Sequence, residues 1–356
     1  MPADGSGEPH QVTEGAQVNG TPAWRPMTPG SPTLAPTLTG TVTGVFDVGL
    51  RGSVSGLTYG FGSLWVDGYE ESTGPGHVIR LDPETGAEQA DISIGSVAPG
   101  WQVGGGGIAV GQGSLWVVGT EQVASESTHV STGVDTVLVR IDPSTNHVVD
   151  RIVLGGKIAA DVAIDANGVW VLFGGDDNRM EVARVDPSTD LVVATISLQQ
   201  AYGHYLFSAN DAILAFTNET TTDRIGNSVV TVIDPSTDTV TTSVSLGDYT
   251  WPAAGEGAMW ASTGTTLERI DPSSGSVTDS WPLVSTGDSL SVGAGGVWSV
   301  GPMGRSTVSR WNPALMAVDL SVELPPGASA NVIATSADAV FVLSFDGVIT
   351  RIQLSN

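Results

Sequence analysis

From Gly40 onward the chain is a succession of short apolar or alternating runs cut by Gly, Asn, Asp and Pro. Val148-Val149-Asp150-Arg151-Ile152-Val153-Leu154, closed by Gly155, is representative: side chains alternate in character with a period of two. No stretch shows apolar residues at a period of 3.6, so the pattern predicts strands and no helices. The runs themselves recur. Gly62-Ser63-Leu64-Trp65-Val66 returns at Gly113–Val117, and related phrases place Trp170, Trp260 and Trp298 at the same point, with Phe216 and Phe341 in two weaker copies. These seven aromatic anchors average about 46 residues apart.

A second phrase comes after each anchor. Arg80-Leu81-Asp82-Pro83 recurs at Arg140, Arg184 and Arg269, with variants at Val232-Ile233-Asp234-Pro235 and Arg310-Trp311-Asn312-Pro313. Asp/Asn-Pro leading into small polar residues is turn chemistry: Pro presets φ and the carboxylate accepts backbone N–H groups. Each unit therefore holds four strands: a Gly-rich first, the Trp strand, the Arg-x-Asp strand and an alternating fourth. Four strands in about 40–50 residues make one propeller blade. The seventh unit stops after its third strand, Val348–Ile352, and residues 40–49 read as the missing fourth. The expected fold is all-β, a seven-bladed propeller over residues 40–356, closed by the N-terminal strand pairing into the last blade. Residues 1–39, with Pro22, Pro26, Pro29, Pro32 and Pro36, read as a stiff Pro-rich tail.

Charge narrows the partners. Thirteen basic against 38 acidic side chains leave a net charge of −25, which repels phosphate backbones and anionic lipid. There is no cysteine, and so no disulfide or thiolate chemistry. The longest uncharged stretch, 92–120, is broken by Pro99 and Gly104–Gly107 and is no membrane span. The first residues lack a basic and then apolar leader, so the chain reads as soluble; a truncated N-terminus would point instead to the cell envelope or the extracellular space. A closed ring leaves no edge to pair, and a monomer is expected.

Gly-Ser-Leu-Trp-Val with Arg-Ile-Asp-Pro-Ser-Thr resembles the YncE/YVTN and streptogramin-lyase-like propeller superfamily over nearly all of 40–356. Residues 3–26, from Asp4-Gly5-Ser6-Gly7 to Pro22-Ala23-Trp24-Arg25-Pro26, resemble a degraded TolB-type repeat. The superfamily resemblance implies the fold and, for most members, a binding role; one branch is a metal-dependent lyase. That branch needs clustered histidines and a glutamate at the ring mouth. The five histidines here, His10, His77, His129, His147 and His204, form no such pair in adjacent blades, and none of its catalytic residues is carried over.

The links from fourth to first strands and the loops from second to third share one face, around the channel mouth. The Asp-Pro turns occupy the other. Irregular insertions fall in second-to-third loops at 67–76, 119–135, 174–180 and 217–227, where function usually sits. On the same face Arg51, Trp101, Lys157, Tyr202, His204, Tyr249, Trp251 and Asp288 form an expected cup for a protein, peptide or carbohydrate. The competing reading is that these aromatics only plug the channel. The anchors and the recurrent arginines read as structural, the arginines pairing with nearby Asp. Asp176-Asp177-Asn178 offers oxygen ligands for a hard cation, against the competing reading of a polar loop tip; Glu121, Glu126, His129 and Asp135 share one loop, but their spacing matches no established ligand pattern. No cofactor is expected, a divalent cation being the one these loops would accept. Asn218-Glu219-Thr220 is a glycosylation sequon. The reading is a non-catalytic recognition module. The alternative is a metal-dependent lyase or hydrolase with His204 as general acid or base.

Overall fold

The computed structural model describes residues 38–50, 52–69, 75–99, 107–124, 131–156, 158–175, 177, 179–220, 225–247, 251–263, 266–282, 289–300, 307–328 and 330–355. These residues form seven antiparallel sheets in chain order, the blades of a β-propeller. Blade 1 runs Ser53–Gly60, Ser63–Tyr69, Gly76–Leu81 and Glu88–Gly95. Blade 2 has a split innermost strand, Ala98–Pro99 and Ile108–Gly111, then Ser114–Ala124, Ser131–Asp142 and His147–Gly155. Blades 3 to 6 begin at Ile158, Tyr202, Trp251 and Ser289, each with four strands. Blade 7 supplies Ala330–Thr335, Ala339–Ser344 and Val348–Ser355. Its outer strand is Thr39–Asp47, paired antiparallel from Thr39 opposite Ser355 to Asp47 opposite Val348. Ring closure by the N-terminal strand is as the sequence predicts. It pairs the outer edge of Val348–Ser355.

The core lies between blades, where the second strand of one packs on the next. Trp65, Trp116, Trp170, Trp260 and Trp298 are buried. Four of them donate their indole N–H: Trp65 to Gly60 O (3.0 Å), Trp116 to Gly111 O (3.1 Å), Trp298 to Gly293 O (2.9 Å) and Trp170 to Asp165 Oδ1 (2.9 Å). Losing one such side chain costs on the order of 3–5 kcal/mol.

Blade 4 corrects the expected anchor. Trp65, Trp116, Trp170, Trp260, Trp298 and Phe341 lie opposite Arg80, Arg140, Arg184, Arg269, Arg310 and Arg351. In blade 4 that register belongs to Leu214, opposite Val232. Phe216 is buried two residues further along, opposite Val230. Without an arginine to cover, the site has no need of an aromatic face.

The arginines also do more than pair with a nearby Asp. Each of the first three stacks over its own blade's Trp, at 4.8, 5.2 and 5.7 Å, and reaches the turn of the next blade. Arg80 donates to Pro143 O (2.7 Å) and Asn146 Oδ1 (3.0 Å); Arg140 donates to Pro187 O (2.7 Å) and Asp190 Oδ1 (2.8 Å). Arg184 meets Asp238 at 2.6 Å, and Arg351 spans the closure to Glu84 at 2.7 Å. Arg269 and Arg310 do turn to an Asp of their own blade, Asp279 at 3.7 Å and Asp319 at 2.6 Å.

The turns behave as their sequence requires. Hydroxyl and backbone N–H groups of the next Ser or Thr residues bond the carboxylates of Asp82, Asp142, Asp186, Asp234 and Asp271, and hold all five below the usual range. Each turn ends on a left-handed residue, as in Gly86, Asn146, Asp190, Asp238 and Gly275. Asn146, Asp190 and Asp238 thus serve twice, tolerating positive φ and accepting the preceding blade's arginine. In blade 6 the left-handed position is Met316, at φ 56°.

Candidate functional site

The mouth face is shaped by a recurrent irregularity. Innermost strands carry a one-residue bulge at the same place in four blades: Ser55 between Val54 and Gly56, Ala160 before Asp161, His204 between Gly203 and Tyr205, and Asn331 before Val332. A bulge breaks the ladder and re-aims the neighbouring side chain. In blade 3 that neighbour is Asp161, buried on the innermost strand Ile158–Asp165. Its Oδ1 accepts the N–H of Gly107 (3.1 Å) and of Val162 (2.8 Å), and its Oδ2 accepts that of Leu206 (2.8 Å). One carboxylate thus ties blades 2, 3 and 4 together. Burial pushes the Asp161 carboxyl up to about 7, against the pull of the Leu206, Gly107 and Val162 amides.

The clamp fixes the start of blade 4's innermost strand. Two residues before the clamped Leu206 stands His204, half-buried, its imidazole 6.2 Å from the Tyr205 ring. Burial lowers the His204 pKa, so the ring is neutral at neutral pH. Tyr202 is 46% exposed and opens this strand opposite Asn218. Tyr205 stacks on Phe207 at 6.1 Å and meets Phe216 edge-on at 6.3 Å. Burial, then the neighbouring Asp161 charge, raises the Tyr205 phenol far above its ordinary range. The result is a rigid rim with one exposed phenol and one neutral imidazole, suited to hydrogen bonding and stacking.

Blade 1 presents a contrasting carboxylate. Asp67 is fully buried on the second strand opposite Gly56, and neither oxygen makes a hydrogen bond of normal geometry. Burial raises it to about 7, and the amides of Gly56 and of Asp67 itself offset this only in part. Sequence reasoning singles out neither Asp67 nor Asp161. The one signal for them is an acidic residue inside an otherwise apolar strand, as in Ile158-Ala159-Ala160-Asp161-Val162.

Of the expected cup, Tyr202 and His204 share one strand of blade 4, and Trp251 opens the innermost strand of blade 5. Arg51, Trp101, Lys157, Tyr249 and Asp288 lie outside the described residues, as do Asp176, Asn178, Glu126 and His129. Asp177 is exposed, 3.8 Å from Arg179. Glu121 sits on a hairpin that extends blade 2 to Ala124 opposite Ser131, so much of the expected 119–135 loop is strand. Its carboxylate pairs with Arg151 at 2.8 Å and also accepts the Ser96 hydroxyl. Burial works against that ionised form, but the Ser96 and Arg151 bonds outweigh it and leave Glu121 below its usual range. Asp135 faces Glu121 across this hairpin. Among the described residues no group of three or more His, Asp or Glu side chains is placed to hold a metal. Asn218 of the sequon is 9% exposed, its amide 3.4 Å from Ser228 Oγ, a poor acceptor for a glycan. No helix among the described residues is long and apolar enough to cross a membrane.

No protein-family model matches the chain, and no curated protein matches it. Among solved structures, the Neurospora crassa Pan2 WD40 domain is similar in fold, with a TM-score of 0.66 at 12% identity. The match covers 89% of this chain and 96% of that one. At this identity the likeness is one of fold: a seven-bladed β-propeller with a WD40 structural neighbour.

Proposed function

We propose that the protein is a non-catalytic recognition module of the YncE/YVTN-like kind, which binds a protein, peptide or carbohydrate on its mouth face. The observation that carries this reading is the Asp161 clamp. A buried carboxylate bonded to amides of three blades holds the rim rigid, and Tyr202 and His204 are displayed from the strand it fixes. Rigid presentation of aromatic and polar groups lowers the ordering cost of binding. A propeller with a WD40 neighbour is compatible with such a role, by analogy of fold alone.

The second reading, a metal-dependent lyase or hydrolase, is favoured by one feature. His204 is neutral at neutral pH and could take up a proton. Thermal shift of the full chain against glycans, peptides and divalent ions, with and without EDTA, separates the two. A ligand at a hundred times its Kd stabilises by about 2.7 kcal/mol. Recognition requires an EDTA-insensitive rise with one ligand class, reduced in Tyr202→Ala. A rise that EDTA abolishes, with turnover lost in His204→Ala, would replace it with the enzymatic reading.

A further inference from the structure

On the face opposite the mouth, the circle of third-to-fourth turns has one unlike member and, next to it, one gap. In blades 1 to 5 the last two turn residues are polar or glycine: Thr85-Gly86, Thr145-Asn146, Thr189-Asp190, Thr237-Asp238 and Ser274-Gly275. In blade 6 they are Leu315 and Met316, 60% and 55% exposed. The turn itself is built like the others. Asn312 accepts the Met316 N–H on its carbonyl (2.8 Å) and the Ala314 N–H on its side chain (2.9 Å), and Met316 takes the left-handed position at φ 56°. Two large apolar side chains are thus displayed on a fixed support, where every other turn is hydrophilic.

The gap is the next place round the circle. Where Arg80, Arg140 and Arg184 reach the following blade, a turn of that blade fills the corresponding place. Blade 7 takes its outer strand from Thr39–Asp47, so no turn joins its third strand to its fourth. There a cleft of about 320 Å³ opens between blades 6 and 7, lined by Leu38, Ala294, Ala337 and Leu354 together with Arg310 and Asp338. Its charged groups already have partners: Arg310 pairs with Asp319 at 2.6 Å, and Asp338 accepts the Ser336 hydroxyl (3.0 Å). What the cleft offers a newcomer is apolar surface, with room for more than one side chain.

We infer that two copies of this chain pair through this face, the Leu315–Met316 turn of each entering the blade 6–7 cleft of the other. The protruding turn and the cleft are neighbours in one circle, so a two-fold axis between them makes both contacts at once, and the assembly closes at a dimer. The sequence expectation of a monomer rests on strand edges and does not reach this surface. Each copy carries a charge of −25, so pairing works against mutual repulsion, and salt should favour it.

The test is sedimentation velocity of the full chain from about 5 to about 500 µM, in about 0.02 M and about 0.5 M NaCl. A reversible monomer–dimer equilibrium should appear, at least about threefold tighter in the higher salt. Leu315→Asp and Ala337→Glu alter exposed residues, so the melting temperature should hold. Each should nevertheless weaken the dimer at least about tenfold by burying a charge in the contact. The chain has no cysteine, which lets disulfide formation map the contact: Leu315→Cys and Ala337→Cys chains mixed together should cross-link at least about fivefold faster than either alone. A monomer throughout both salt series would overturn the assignment. So would a dimer that either charged variant leaves intact, or cross-linking no faster in the mixture.

Discussion

Two arcs of the ring are built from the same phrases but held together differently. From blade 7 through blades 1, 2 and 3 to blade 4, every interface is crossed by an arginine: Arg351 to Glu84, Arg80 to Asn146, Arg140 to Asp190 and Arg184 to Asp238. On the mouth side of the same arc, Asp161 joins blades 2, 3 and 4. From blade 4 through 5 and 6 to 7, no arginine crosses among the described residues, each time for a local reason. Blade 4 has Val232 in place of the arginine. Blade 5 has Arg269 but faces Met316. Blade 6 has Arg310, but blade 7 takes its outer strand from Thr39–Asp47 and so has no Asp-Pro turn leading into it, and Arg310 folds back on Asp319. A 320 Å³ cleft lined by Leu38, Arg310, Asp338 and Leu354 opens on this second arc. A propeller can thus keep its blades uniform while concentrating its ties in one arc.

The largest expected effect comes from the Asp161 clamp. Asp161→Asn keeps the shape but turns an NH₂ towards an amide N–H, and should destabilise by about 3 kcal/mol in urea unfolding at pH 7. Asp67→Asn should have the opposite sign. Both carboxyls titrate near 7 in the folded ring, well above the ordinary 3.8. The folded state therefore holds protons that the unfolded chain releases, and stability falls as pH rises from about 4 through 7. Removing the unpaired Asp67 should stabilise the protein by about 3 kcal/mol at pH 8 and by much less at pH 4; equal gains at both would refute the assignment.

The arginines give the next contrast. Arg140→Ala should cost about 2 kcal/mol, through the lost partly buried pair and the Trp116 stack. Arg269→Ala, with its exposed and distant pair, should change stability by less than about 0.5 kcal/mol. Equal costs would remove the distinction between the arcs. Between these, Met316→Gly should add about 1 kcal/mol by relieving a left-handed non-glycine residue, read as a shift in the urea midpoint.

The blades are legible in the sequence because Trp, Arg and Asp-Pro recur at fixed spacing, and ring closure is legible because the last unit lacks its fourth strand. The blade 4 register is not. An aromatic at 216 draws the alignment two residues past Leu214, and only pairing with Val232 corrects it. The double role of Asn146, Asp190 and Asp238 is hidden, since their partners lie about 50 to 66 residues away on another blade. The site is legible only in part. Tyr202 and His204 stand out in a link that breaks the repeat, but the Asp161 that positions their strand is a single carboxylate whose partners are backbone amides, which no sequence pattern marks.

The unequal ties make a direct claim about where the ring opens. Native-state hydrogen exchange of the full chain, read out by mass spectrometry, measures it blade by blade. The second strands of blades 5 and 6, Ala258–Ser262 and Gly296–Val300, should exchange through openings at least about 1 kcal/mol easier than those of blades 2 and 3, Ser114–Ala124 and Gly168–Gly174. Uniform protection around the ring, or earlier opening in blades 2 and 3, would contradict a ring tied along one arc.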